Sequence, residues 1–236
     1  MKNLKVALLA AAVAAVAQPA FAYDAGDMIV RAGVATVAPN DESGFVMDTS
    51  TQDKLLGVEA MAEVDNDSQL GISFTYMLSP TMGIEVLGAT PFEHDIKGAG
   101  ALKGVTIGST SHLPPTITAQ YYPLGGTDSK AQPYVGLGVN YTVFFDEKTT
   151  DQFTQTLSGL LNAPGISTDI ELDNSFGVAA QLGIDYALTE NVMLNAAVWY
   201  IDIDTTADVK VNGNTAAQVD VDIDPTVYML GVGYKF

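Results

Sequence analysis

Apolar side chains recur at every second position in eight separate segments of this chain, and that periodicity restricts each segment to extended strand. In residues 70–78, Leu70, Ile72, Phe74, Tyr76 and Leu78 share one face, with Gly71, Ser73 and Thr75 on the other. Residues 176–188 set Phe176, Val178, Ala180, Leu182, Ile184, Tyr186 and Leu188 against Gly177, Gln181, Gly183 and Asp185. Residues 226–236 set Tyr228, Leu230, Val232, Tyr234 and Phe236 against Gly231, Gly233 and Lys235. The other segments are 28–37, 82–90, 116–122, 134–145 and 192–203. Each approaches the roughly 9–11 tilted residues that cross a bilayer.

The connections alternate in length. Residues 79–81, 123–131 and 189–191 are short and turn-rich, whereas 38–67, 91–113, 146–173 and 204–224 are long and read as loops. An up-and-down outer-membrane barrel has short periplasmic turns, long external loops and both termini on the periplasmic side, which an even strand number satisfies. The expected fold is therefore all-β, an eight-stranded antiparallel transmembrane β-barrel. A soluble sandwich or lipocalin-like barrel also alternates. Two features speak against it: the apolar face persists over nearly whole strands, and aromatic residues gather at strand ends as in an interfacial girdle. The girdle positions are Tyr121, Tyr122, Phe144, Phe145, Tyr200, Tyr234 and Phe236.

The chain opens as an export signal. Lys2 and Lys5 make a basic start, residues 6–16 are apolar, and Ala20-Phe21-Ala22 offers the small residues that signal peptidase requires. The run is too short to span about 30 Å of hydrocarbon. Residues 1–22 are read as a cleaved signal peptide and residues 23–236 as the barrel. Ten basic residues against 28 acidic give a formal charge of −18, which argues against nucleic acid as a partner. There are no cysteines, and a barrel that closes its own hydrogen bonds needs none.

Opposite the apolar stripe lie Arg31, Glu85, Gln120, Asn140, Gln181, Asp185, Asn195 and Lys235, with many glycines. An eight-stranded interior is just wide enough for side chains to fill, so glycine either makes room for larger neighbours or leaves a narrow tube. Arg31 has Glu85 and Asp185 as candidate partners, since a charge in a dry lumen needs one. The same parity turns Trp199 inward. An indole suits an interior that admits apolar molecules; the alternatives are a register-flipping bulge or a girdle position.

In the third long connection, Phe153, Leu157, Leu160 and Leu161 recur at helical spacing, residues 149–151 offer an N-cap and Pro164-Gly165 stops the run. Such a helix covers the barrel mouth or simply knits loops together. Acidic clusters at 202–204 and 220–224 read either as a repulsive solvated surface or as ligands for divalent cations shared with lipopolysaccharide. Enzyme chemistry is not expected. His94 and His112 are the only histidines, and Asp95 points away from its neighbour His94 in an extended chain. Neither a metal nor a cofactor site is expected.

The sequence resembles the outer membrane protein W family, which includes alkane-uptake porins. The residues that carry the resemblance begin with Asp27, Val30-Arg31-Ala32-Gly33, Gln69-Leu70-Gly71 and Phe74-Thr75-Tyr76-Met77. They continue with Ala89-Thr90-Pro91-Phe92, His94-Asp95-Ile96, Leu113-Pro114-Pro115-Thr116, Gln120-Tyr121-Tyr122 and Gln132-Pro133-Tyr134-Val135-Gly136. The last are Asn140-Tyr141-Thr142, Phe144-Phe145-Asp146-Glu147, residues 199–206 and the closing Gly231-Val232-Gly233-Tyr234-Lys235-Phe236. Departures concentrate in the first and third loops. The resemblance implies an eight-stranded barrel with a narrow, largely hydrophobic channel for small apolar molecules. It also implies that the barrel assembly machinery reads the C-terminal pattern Tyr228, Val232, Tyr234 and Phe236.

Pro91, Pro114 and Pro115 lack N–H donors at the loop ends of the third and fourth strands, so the ladder is expected to fail there. They either open a sideways exit from lumen to lipid or merely start and stop strands. Two functional readings stand: an outer-membrane channel for passive uptake of small, mainly hydrophobic solutes, and a structural or surface-interaction barrel with a plugged lumen. Expected partners are outer-membrane lipid, lipopolysaccharide, the assembly machinery and the solutes.

Overall fold

The computed structural model describes residues 21–40, 42–51, 53–54 and 59–236, so the signal-peptide reading falls almost wholly outside the described residues. Eight strands close into a barrel: β1 (Met28–Ala38), β5 (Asp67–Ser79), β6 (Met82–Ala89), β9 (Thr116–Tyr121), β10 (Ala131–Thr149), β12 (Ser175–Ala187), β13 (Val192–Ile201) and β16 (Thr226–Lys235). Every pairing is antiparallel, and the ring closes through β10–β12 and β1–β16. The eight expected segments match these strands to within a few residues, because a one-residue slip would move a strand's whole apolar set to the wrong face.

The outward stripe is continuous. Ile72, Phe74, Leu137, Val178, Leu182, Leu230 and Val232 are all exposed, an arrangement that only hydrocarbon makes favourable over so large an area. Tyr76, Tyr121, Tyr186 and Tyr234 ring the end carrying the short turns and both termini, called here the turn end. Two girdle expectations are overturned. Tyr122 and Phe144 are buried, on the inward parity of their strands: Tyr122 follows Thr118 and Gln120, and Phe144 follows Asn140 and Thr142.

Among the described residues the long connections are largely folded structure, which corrects their reading as loops. Two sheets rise past the opposite, extended end of the barrel. One contains β4 (Ala60–Val64), β7 (Phe92–Gly100), β8 (Thr106–Leu113) and the far part of β10. The other contains β11 (Thr168–Leu172), β14 (Asp204–Val211) and β15 (Asn214–Asp222), bordered by β2 (Glu42–Ser43) and β3 (Met47–Asp48). Alternation simply continues: Val219, Val221 and Ile223 are buried while Asp220, Asp222 and Asp224 face outward or lie partly covered. The acidic residues are thus the solvent-facing half of strands, as a sheet wet on one face requires.

Helix α1 (Asp151–Leu161) forms where the apolar spacing places it. Thr150 caps it by accepting from the Phe153 N–H at 3.1 Å, and Asn162 ends it in the left-handed conformation. Phe153 and Leu157 are buried beneath it.

Glycine in the barrel serves packing where Gly183 pairs with Tyr134. A Cβ at Gly183 would lie 2.2 Å from Tyr134 Cζ, so the ring occupies the place of the missing side chain. Gly183→Val is expected to displace Tyr134 and cost about 1–3 kcal/mol, the usual range for overpacking. Urea unfolding in detergent checks this; a variant as stable as the parent would mean that the ring moves freely.

Candidate functional site

The barrel interior has two chemically distinct zones. Toward the turn end, side chains from most strands converge on Arg31, which is fully buried on β1. Its Nε and one terminal nitrogen donate to the Asp185 carboxylate at 2.9 and 2.5 Å. The other terminal nitrogen reaches Thr75 Oγ1 at 2.7 Å and Glu85 at 3.2 Å, and Tyr122 Oη accepts a further bond at 3.0 Å. The carboxylates are held in turn: Tyr23 and Asn195 each donate to Asp185 at 2.8 Å, and Gln181 donates to Glu85 at 2.9 Å. Gln120 donates to Gln181 at 2.9 Å, and the Tyr122 hydroxyl donates to Gln120 at 2.6 Å. This cross-braced network, contributed by β1, β5, β6, β9, β12 and β13, crosses the lumen and is called the plug below. Both candidate partners of Arg31 are therefore used, a geometry that pairs all three buried charges of the network.

Of the residues expected to line the lumen, Arg31, Glu85, Gln120, Gln181, Asp185 and Asn195 join this plug. Lys235 lies near the turn end, 3.7 Å from Asp27 and donating to the Ala22 carbonyl. Asn140 and Trp199 lie elsewhere. Trp199 is inward and buried, and its Nε1 finds no hydrogen-bond partner among the described residues. It is paired with Val227, and Ala35, Ile201 and Met229 are also buried on the inward faces of β1, β13 and β16, so beyond the plug the lumen turns apolar.

Past the barrel the two sheets and α1 enclose a cavity of about 70 Å³, lined by Val37, Ala62, Ile96, Phe144, Phe153, Leu157, Ile170, Val209, Val221 and Ile223 among others. Its polar members are few: His94, His112, Thr110 and Thr205. The sequence had set the histidines apart. The β7–β8 hairpin brings their rings to 4.8 Å, edge to face, because Phe92 pairs with His112 and His94 with Thr110. His94 faces in and Asp95 out, as extended backbone requires. The clue was inward parity continuing through Phe92, His94 and Ile96.

Burial pushes the His112 pKa down to about 3, with its neighbour His94 acting in the same direction and Asp67 opposing. Burial also lowers His94, against the Asp65 carbonyl and the carboxylates of Asp67 and Asp65. Both rings fold as neutral imidazole. Stability from that neutrality is complete above the ordinary value near 6.5 and declines as pH falls from there toward about 3, since the unfolded chain takes up the proton first. His112→Phe is expected to flatten the acid loss of protection in β7 and β8, read by amide exchange at neutral and mildly acidic pH. An acid response identical to the parent's would refute that assignment.

The barrel wall has a break beside these apolar spaces. The β6–β9 ladder runs up to Leu87 opposite Thr116, and pairing on that seam resumes only at Phe92 opposite His112. Residues 88–91 and 113–115 face each other across it without a ladder pair among the described residues. The carbonyls of Pro114 and Pro115 are satisfied from other directions. Pro115 accepts from the Tyr141 N–H at 3.1 Å and from Asn140 Nδ2 at 3.2 Å, while Thr116 donates to Pro114 at 3.0 Å. A second small cavity of about 10 Å³ lies here, between Ala35, Leu87, Phe92, Pro114, Ile201 and Val227. Pro91 and Pro115 are exposed on the rim and Pro114 is buried.

Asp202, Asp204 and Asp224 bring carboxylate oxygens within 4.8 Å of one another near the mouth, with Tyr200 donating to Asp224 at 2.8 Å. Burial and the neighbouring carboxylates of Asp202, Asp222 and Asp224 raise the Asp204 pKa. Tyr228, Val232, Tyr234 and Phe236 all stand on the outward face.

Comparison with known proteins agrees with this architecture. Residues 24–236 match the OmpW family model. The chain is 45% identical over 220 residues to outer membrane protein W of Vibrio cholerae, covering 92% of each chain. It is 42% identical over 237 residues to outer membrane protein W of Escherichia coli, covering each chain fully. The crystal structure of the outer membrane protein OprG from Pseudomonas aeruginosa superposes with a TM-score of 0.81 at 44% identity, covering 91% of this chain and 98% of that one. A closed eight-stranded barrel with a continuous apolar exterior and these relatives make the chain a bacterial outer-membrane protein of the OmpW family.

Proposed function

We propose that this barrel takes up small, mainly hydrophobic molecules passively and releases them sideways into the lipid. On this reading the turn end and both termini face the periplasm, and the extended sheets face outward amid lipopolysaccharide. The solute enters the apolar cavity, meets the Arg31 plug, and leaves through the seam between β6 and β9. The observation that carries the reading is the order of these features: apolar space, an unpaired seam beside it, and a polar block beyond. Crossing the plug would strip a solute of apolar contacts and break charge-assisted bonds, whereas the seam leads from one apolar medium to another. The outward stripe of Tyr228, Val232, Tyr234 and Phe236 is the part available to the assembly machinery.

Replacing Pro91 and the Pro114–Pro115 pair by alanine restores three N–H donors along the seam, allowing pairing to extend across it. Uptake of a hydrophobic solute, at matched amounts of folded protein, is expected to fall severalfold. Unaltered uptake would discard the lateral route. The plug itself favours the second reading, a structural barrel with a closed lumen. Reconstitution separates the two, because only the first carries solute flux.

A further inference from the structure

We propose that the outer cavity selects molecules with an apolar body and a single hydrogen-bond donor, such as a hydroxyl or protonated carboxyl, which is received by Nε2 of His94. The inference deepens the uptake reading and rests on it. His94 Nδ1 lies 2.5 Å from the Asp65 carbonyl, and a carbonyl can only accept. The proton of the neutral ring is therefore on Nδ1, and Nε2 carries a lone pair. That lone pair finds no hydrogen-bond partner among the described residues, although His94 is 3% exposed and lines the cavity. His112, 2% exposed and also lining it, likewise has an unpartnered Nε2.

An unsatisfied buried acceptor in a largely apolar chamber is destabilising by itself, and a ligand that donates to it recovers that loss. A pure hydrocarbon cannot. An ether, which only accepts, meets the lone pair unfavourably. A hydroxyl can donate to His94, and it keeps an acceptor for His112 if that ring holds its proton on Nε2. The cavity thus discriminates by the sense of the hydrogen bond as well as by apolar fit.

The test uses the mature protein in lipid nanodiscs with isotope-labelled histidine. The probes are n-hexanol, methyl pentyl ether and heptane, which match in heavy-atom number. In the parent, n-hexanol is expected to move the His94 Nε2 resonance saturably, and the other two are expected to leave it in place. In His94→Phe, n-hexanol affinity should fall roughly two- to tenfold, the yield of one net hydrogen bond, while heptane affinity holds or improves. Comparing each probe between parent and variant cancels its partitioning into lipid. Should the variant fail to fold, the parent resonance decides alone. Saturable binding of all three probes without a change at Nε2 overturns the donor preference and leaves the uptake reading standing. No binding of any probe overturns both.

Discussion

Arg31→Ala is expected to destabilise the barrel by about 3–5 kcal/mol and to make the molecules that still fold conduct ions, because it strands two buried carboxylates. Arg31 supplies two of the hydrogen bonds that hold Asp185 and the only cation beside Glu85 among the described residues. Removing it also frees Thr75 and the Tyr122 hydroxyl from their shared partner. Water then enters a space otherwise filled by the guanidinium, and two uncompensated negative charges favour cations. Urea unfolding reads the first effect, and planar-bilayer conductance with cation selectivity reads the second. A triple variant that adds Glu85→Gln and Asp185→Asn separates charge from packing: it should regain much of the stability, since amides tolerate burial better than unpaired carboxylates. If Arg31→Ala stays as tight to ions as the parent, the network is not the axial barrier, and the route of solute exit must be reconsidered with it.

The second large effect concerns the seam. Gly88→Phe is expected to cut hydrophobic uptake severalfold while leaving folded protein unchanged. Gly88 follows the inward Leu87, so a side chain there stands on the lipid face, where a Cβ meets nothing within 4 Å. Continuing the register of Leu87 and Thr116 places Pro115 opposite, and an aromatic ring can rest against that exposed proline and cover the exit. Val86→Phe is the matched control. Val86 also faces outward, but it lies between Phe74 and Ile117 in an intact ladder. It adds the same ring to the lipid face away from the break, and uptake should persist. Equal uptake in the parent and in Gly88→Phe would argue that solute leaves elsewhere.

The barrel itself was legible from alternation, because lipid outside and a filled core inside impose opposite polarities on successive residues. That rule also placed Arg31, Glu85 and Asp185 in the lumen and Trp199 with its ring inward. It would have placed Tyr122 and Phe144 inside as well; reading them as girdle residues gave residue type precedence over parity. The strands beyond the barrel were hidden differently. Acidic residues at 202–204 and 220–224 look like solvated loop, although the intervening Val219, Val221 and Ile223 repeat the same period.

By itself, then, the order of residues determined the strand faces, the eight-strand closure and the places where proline denies the ladder a donor. These are local consequences of backbone geometry and of side-chain transfer between water and hydrocarbon. Only the tertiary structure decided that Arg31 engages both carboxylates, that His94 and His112 meet, and that the apolar cavity, the seam and the plug lie in that order. Such facts depend on strand stagger and closure, which join residues as far apart as Arg31 and Asp185, 154 positions, and no local period encodes how far one strand slides past the next.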